Sequence, residues 1–143
     1  VRMRWCISDS LDLTETMVPS FILQPLVENS FKHGIAPKEE GGTVRIRIAP
    51  LRAKGLLRIS VCDNGLGIEP EKLAQLQEGL ASPRDLWEHI GVYNVAARLQ
   101  LLDKRCRFVI RSRPGFGTAV SIYLPLVEIV EEEFEDDTPA DRR

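Results

Sequence analysis

The chain has 143 residues, is 43% hydrophobic and 28% charged, and carries a net charge of −2. That length suits one domain with a real core, the composition is that of an ordinary globular domain, and no apolar run approaches the roughly 20 residues of a membrane span. The charge balance excludes a strongly basic nucleic-acid binder, and three scattered cysteines, Cys6, Cys62 and Cys106, fit neither a disulfide framework nor a metal-site spacing.

Each cysteine lies in an apolar strand-like run, so buried reduced thiols are expected. The first residue is Val1 and no secretory signal precedes the first strand-like segment, so a piece of a longer protein is expected. Charge is unevenly spread. From Glu128 onward there are eight acids and two arginines, which leaves the remainder net positive. A mildly basic body suits an anionic ligand. The stretch 128–143 has too few apolar residues to build a core and is expected to be an acidic, disordered tail, with 1–127 as the folded domain.

In chain order, Arg2 to Ser8 alternates and predicts a short strand, and Leu11 to Val18 a connector. Pro19 opens a helical run whose apolar residues Phe21, Ile22, Leu26, Val27 and Phe31 recur near 3.6 residues, with Gly34 where a helix ends. Pro25 interrupts it, so the helix either starts near Pro25 or is kinked there. Ala36 to Gly42 is a loop. Val44, Ile46 and Ile48 alternate with Arg45 and Arg47, and Leu57, Ile59 and Val61 form the partner strand beyond a turn at Arg52 to Gly55. Pro70 to Gln77 predicts a short helix and Gly79 to His89 a loop. Gly91 to Leu102 predicts a helix with Val95, Leu99 and Leu102 on one face, and Arg107 to Ser112 and Thr118 to Leu124 predict two strands around a turn. This order predicts an α/β fold, a two-layer sandwich of one mixed sheet with helices on one face.

Four blocks carry chemistry. Asn29, Lys32 and His33 are spaced i, i+3, i+4, so on an α-helix they share a face. An amide oxygen beside an ammonium suits a magnesium–phosphate group, although a solvated helix face has the same composition. Asp63, Gly65 and Gly67 follow a strand, where glycine allows positive φ and close backbone approach. Gly91 and Asn94 open a helix, whose N-terminal N–H groups favour phosphate. Gly117 and Thr118 close a Gly115-x-Gly117 turn between strands, a pattern shared with ordinary hairpins.

In this order the blocks resemble the N box, G1 box, G2 box and final glycine–threonine turn of the GHKL ATPase and kinase superfamily, over roughly Val18 to Pro125. LQPLVENSFKHGI followed by IGVYNVAARLQLL is most similar to the LytS-type sensor histidine kinases. The resemblance implies a Bergerat-type fold and ATP and Mg2+ as ligands. It makes Asn29 the metal ligand, Asn29 and Lys32 the catalytic pair, and places Lys32 and His33 at the phosphates. Asp63 would take the adenine amine, Gly65 and Gly67 would shape the adenine region, Gly91 and Asn94 would serve the phosphates, and Gly117 and Thr118 would back the adenine. Glu28, about 100° around the helix from Asn29, has no assigned role.

Two departures stand out. His89 occupies the first glycine position of the G2 box, and Pro25 stands where the superfamily's hydrolytic members carry a glutamate four residues before the asparagine. A proline cannot activate water, which fits a kinase rather than an ATPase. The resemblance further implies a phosphoacceptor histidine on a separate dimerisation domain, a response regulator downstream, and no nucleic-acid partner. The chain alone is expected to be monomeric and to be a cytoplasmic domain of a membrane-anchored sensor. His89 also motivates a second reading, a nucleotide-sensing scaffold without phosphotransfer; an anti-sigma serine kinase fits the helix block less well.

Overall fold

Period-two alternation in the strands decides the architecture. The computed structural model describes residues 1–81 and 90–128. In chain order these form β1 (Arg2–Ile7), α1 (Leu23–Asn29) continuing into a π-helical turn (Ser30–Ile35), β2 (Thr43–Leu51), a single 3-10 turn (Arg52–Lys54), β3 (Leu56–Asp63), α2 (Pro70–Ala81), α3 (Ile90–Leu102), β4 (Arg107–Arg113) and β5 (Gly117–Pro125). The sheet order is β1-β2-β3-β5-β4. β1 pairs with β2 in parallel, and the other pairings are antiparallel.

Register places Ile46 beside Val61, Val61 beside Val120, and Ile59 beside Ile122. These residues and Val44, Leu57 and Leu124 point to one face and are buried there. Against that face pack Ile22 and Leu26 from the α1 region, Ile35 from the π turn, and Val92, Val95 and Leu99 from α3. Each fully buried aliphatic side chain contributes about 1.5–3 kcal/mol of transfer free energy. The helices therefore lie on one face, and the fold is the expected two-layer α/β sandwich with a mixed sheet.

The opposite face is polar. Register puts Arg4 beside Arg45, Arg45 beside Cys62 and Arg47 beside Ser60, and Arg58 reaches Ser60 Oγ at 3.3 Å. Burial pushes the Cys62 thiol up, and the nearby Arg47, Arg45 and Arg58 charges oppose that shift while Asp63 adds to it.

The structure decides or corrects several sequence expectations. Of the two alternatives left open for the first helix, it takes the start near Pro25: the helix begins at Leu23 and Pro25 falls in its first turn. There its missing N–H removes no intrahelical bond, which is why no kink is needed. Phe31 and Leu102, expected on apolar faces, are 46% and 51% exposed. Cys6 is exposed and Cys62 half-buried; only Cys106 is buried, because Cys6 lies on an edge strand on the face away from the helices. The helix from Pro70 runs to Ala81, past the expected start of a loop at Gly79. The rest of that loop, including His89, and the tail from 129 lie outside the described residues. No described helix is long and apolar enough to cross a membrane.

Ile59, in the central strand, is 1% exposed, and Leu101, on the outer side of α3, is 89% exposed. Ile59→Ala should cost about 2–5 kcal/mol in urea unfolding, and Leu101→Ala should stay within about 0.5 kcal/mol.

Candidate functional site

β3 alternates Leu57, Ile59, Val61 and Asp63 toward the helices, so its last inward position holds a carboxylate in an otherwise apolar series. Asp63 is 9% exposed. Its Oδ1 accepts the Gly65 N–H at 3.0 Å and the Thr118 N–H at 3.2 Å. Among the described residues no group donates to Oδ2. A carboxylate oxygen on so buried a residue is costly to leave without a donor, so Oδ2 is chemically matched to a group that donates a hydrogen bond.

The backbone around this carboxylate is tight. A Cβ on Gly34 would sit 2.7 Å from Asp63 Oδ1, and a Cβ on Gly65 would overlap the Gly34 carbonyl. The Leu66 N–H donates to that same carbonyl at 3.0 Å. Gly65 is thus demanded by close approach, while Gly67, at φ 73, is demanded by both conformation and contact, since its Cβ would overlap the Arg113 carbonyl. Gly117 is equally constrained against the Asp63 carbonyl oxygen. The loop after β3 is also clasped from outside: Asn64 Oδ1 accepts the Thr43 N–H at 2.7 Å, and Lys38 Nζ donates to the Asn64 carbonyl at 3.1 Å.

Two hydroxyls complete this end of the sheet. Ser112 Oγ accepts the Ile68 N–H at 2.8 Å, donates to the Gly117 carbonyl at 3.0 Å, and lies 2.8 Å from Thr118 Oγ1. Thr118 is buried.

The helical side contributes the remaining residues. Asn29 is half-buried at the end of α1, and Lys32 and His33 are exposed on the π turn. That turn is closed by the Ala36 N–H donating to the Phe31 carbonyl, an i→i+5 bond. The wider turn is not the α-helix that the i, i+3, i+4 spacing assumes, and π turns recur at functional sites. Gly91 and Asn94 line an open groove of about 280 Å3 with Ser20, Pro25, Glu28 and Arg98. Glu28 Oε1 accepts a hydrogen bond from Gln24 Nε2 at 2.9 Å.

The structure thus gathers Asp63, Gly65, Gly67, Gly117 and Thr118 tightly at one end of the sheet. Asn29, Lys32 and His33 follow on the helical segment whose Gly34 lies against Asp63, and Gly91 and Asn94 border the α1 face carrying Pro25 and Glu28. Sequence reasoning missed Gly34 as a contact of Asp63, having taken it only as a helix end. It also missed Ser112 and Asn64. A serine six residues before Thr118 on a paired strand was the available signal for Ser112. Nothing in spacing pointed to the clasp on Thr43.

The sequence profile of the family described as "Histidine kinase-, DNA gyrase B-, and HSP90-like ATPase" matches residues 18–128. The chain is 33% identical over 123 residues to the sensor protein LytS of Bacillus anthracis, covering 85% of this chain and 20% of LytS. It is 37% identical over 108 residues to the sensor histidine kinase YpdA of Escherichia coli K12, covering 76% of this chain and 18% of that protein. The chain therefore spans about a fifth of the length of these relatives. In fold it is similar to full-length ShkA solved with AMPPNP, with TM-score 0.62, 19% identity, and coverage of 90% of this chain and 26% of ShkA. The catalytic domain of histidine kinase ThkA gives TM-score 0.58 and 16% identity over 90% of this chain and 81% of that domain.

The glycine geometry makes a direct prediction. Gly65→Ala should destabilise the chain by about 1–3 kcal/mol through overlap with Gly34. Gly115→Asn, at φ 78 with open space around its Cβ position, should cost less than about 1 kcal/mol, because asparagine tolerates that conformation. Denaturant titration of both variants checks the contrast.

Proposed function

The chain belongs to the histidine kinase-, DNA gyrase B- and HSP90-like ATPase family, and from that premise we propose that it is the ATP-binding catalytic domain of a two-component sensor kinase, donating the ATP γ-phosphate to a histidine carried elsewhere in a longer protein. The observation that carries the reading is the buried Asp63 carboxylate, with Oδ1 held by two backbone N–H groups and Oδ2 without a donor among the described residues. A 6-amino purine supplies the missing donor. Gly65 and Gly67 let the backbone approach the base without a Cβ in the way, and Thr118 backs the ring.

The phosphate end rests on the helices. Lys32 brings a mobile point charge to phosphate oxygens, His33 stands next to it, and Gly91 and Asn94 belong to the third block at the opening of α3. The donor set fits a hard cation poorly by itself, since no three His, Cys, Asp or Glu side chains cluster among the described residues. It fits one delivered with phosphate, where the amide oxygen of Asn29 adds a single protein ligand. A magnesium ion so bound would supply charge neutralisation at the phosphate oxygens. The chain's own work is then positioning, which is the main demand of phosphoryl transfer.

Transfer to protein rather than to water is supported by Pro25. It occupies the position four residues before Asn29, packs its Cβ 3.5 Å from where a Gly91 Cβ would be, and offers no base to activate water. The sensor-kinase names of LytS and YpdA support the same reading and suggest a response regulator as the next acceptor.

The longer protein containing this domain should form phosphohistidine from ATP, and Asn29→Ala should reduce that labelling at least about 100-fold, the scale of losing one electrostatic contact in the transition state. Acid-labile phosphate on the native protein and its loss in the variant are the expected results. Unchanged labelling in Asn29→Ala removes Asn29 from the site.

A further inference from the structure

We propose that Ser112 is a positioning residue that sets the hydrogen-bond polarity of Thr118, so that the base site presents only acceptors and discriminates 6-amino from 6-oxo purines. The inference rests on the ATP reading above and goes beyond it, because neither the family blocks nor the spacing assigns Ser112 a role.

A serine hydroxyl has one proton to give and two lone pairs to receive with. The Ser112 proton is directed to the Gly117 carbonyl at 3.0 Å, and one lone pair receives the Ile68 N–H at 2.8 Å. The remaining contact, 2.8 Å to Thr118 Oγ1, then has Thr118 as its donor. With its proton turned toward Ser112, the Thr118 hydroxyl can only accept from anything else. Its backbone N–H is already given to Asp63 Oδ1 at 3.2 Å. Thr118 Oγ1 and Asp63 Oδ2 therefore form a pair of acceptors on adjoining strands, β5 and β3.

An exocyclic amine and the water around it bring donors to such a pair. A 6-oxo group brings a third acceptor, which leaves buried lone pairs facing one another without a proton between them. Discrimination of this kind is strong, because the penalty falls on groups that have left water. Without Ser112 the Thr118 hydroxyl is released to rotate and can donate to an oxo group. Ser112 lies on β4, is half-buried, and acts wholly through its neighbour.

The test is the ratio of ATP to GTP affinity, measured by competition against a fluorescent nucleotide. The native chain should favour ATP by about 100-fold or more, the scale set by a mismatched polar contact in a buried site. Ser112→Ala should narrow that ratio by about tenfold, the worth of roughly one hydrogen bond, mainly through improved GTP binding. Thr118→Val removes the hydroxyl through which Ser112 acts, so the double variant Ser112→Ala/Thr118→Val should show the same ratio as Thr118→Val alone. A purely structural role for Ser112 would weaken both nucleotides together and leave the ratio intact, and that result overturns the inference. Further narrowing in the double variant overturns it as well. If the native chain binds neither nucleotide, the ATP reading fails, and the inference fails with it.

Discussion

The site depends on one carboxylate placed where an aliphatic side chain would otherwise stand. Asp63 continues the inward series of β3, and its Oδ1 ties the loop at Gly65 to the start of β5 at Thr118. Those two bonds fix the spacing between a strand end and a neighbouring strand start, and the glycines follow from it. Gly34 must lack a Cβ to clear the carboxylate, and Gly65 must lack one to clear Gly34. Burying a charge there is costly without donors, so the local backbone is arranged to supply them.

The helical layer meets this strand end through a turn that departs from α geometry. α1 opens with Pro25 in its first turn, where a missing N–H has no consequence, and widens into the π turn over Ser30–Ile35 before Gly34 reaches Asp63. The same short segment therefore holds Asn29, the exposed Lys32 and His33, and the backbone carbonyl that receives the Leu66 N–H at 3.0 Å. One short stretch of chain thus carries Asn29, Lys32 and His33 and reaches the Asp63 carboxylate through Gly34.

Much of the fold was legible because its strands alternate. Val44, Ile46, Leu57, Ile59 and Val61 announced a half-buried hairpin by period two, and the blocks at Asp63, Gly91 and Gly117 announced the turns that follow strands and open helices. What failed has physical reasons. Periodicity cannot see where a proline is harmless, so it left a start near Pro25 and a kink there equally open; the helix starts at Leu23. It cannot tell a half-covered edge strand from a central one, so Cys6 was expected inside and is exposed. It also assumes 3.6 residues per turn, which the π turn violates at Lys32 and His33. Ser112 escaped notice because a single serine in a strand has no period, and its meaning lies in three partners distant in sequence.

The central claim is that Asp63 is built to receive an amine from a bound nucleotide. Calorimetric titration of the 143-residue chain with ATP, with and without magnesium, for the native sequence and for Asp63→Asn, tests it most directly. Asparagine keeps the shape but replaces one carboxylate oxygen with a donor. The account predicts saturable ATP binding by the native chain, strengthened by magnesium and lost in Asp63→Asn with the fold intact. Equal ATP affinity in the two proteins would contradict it.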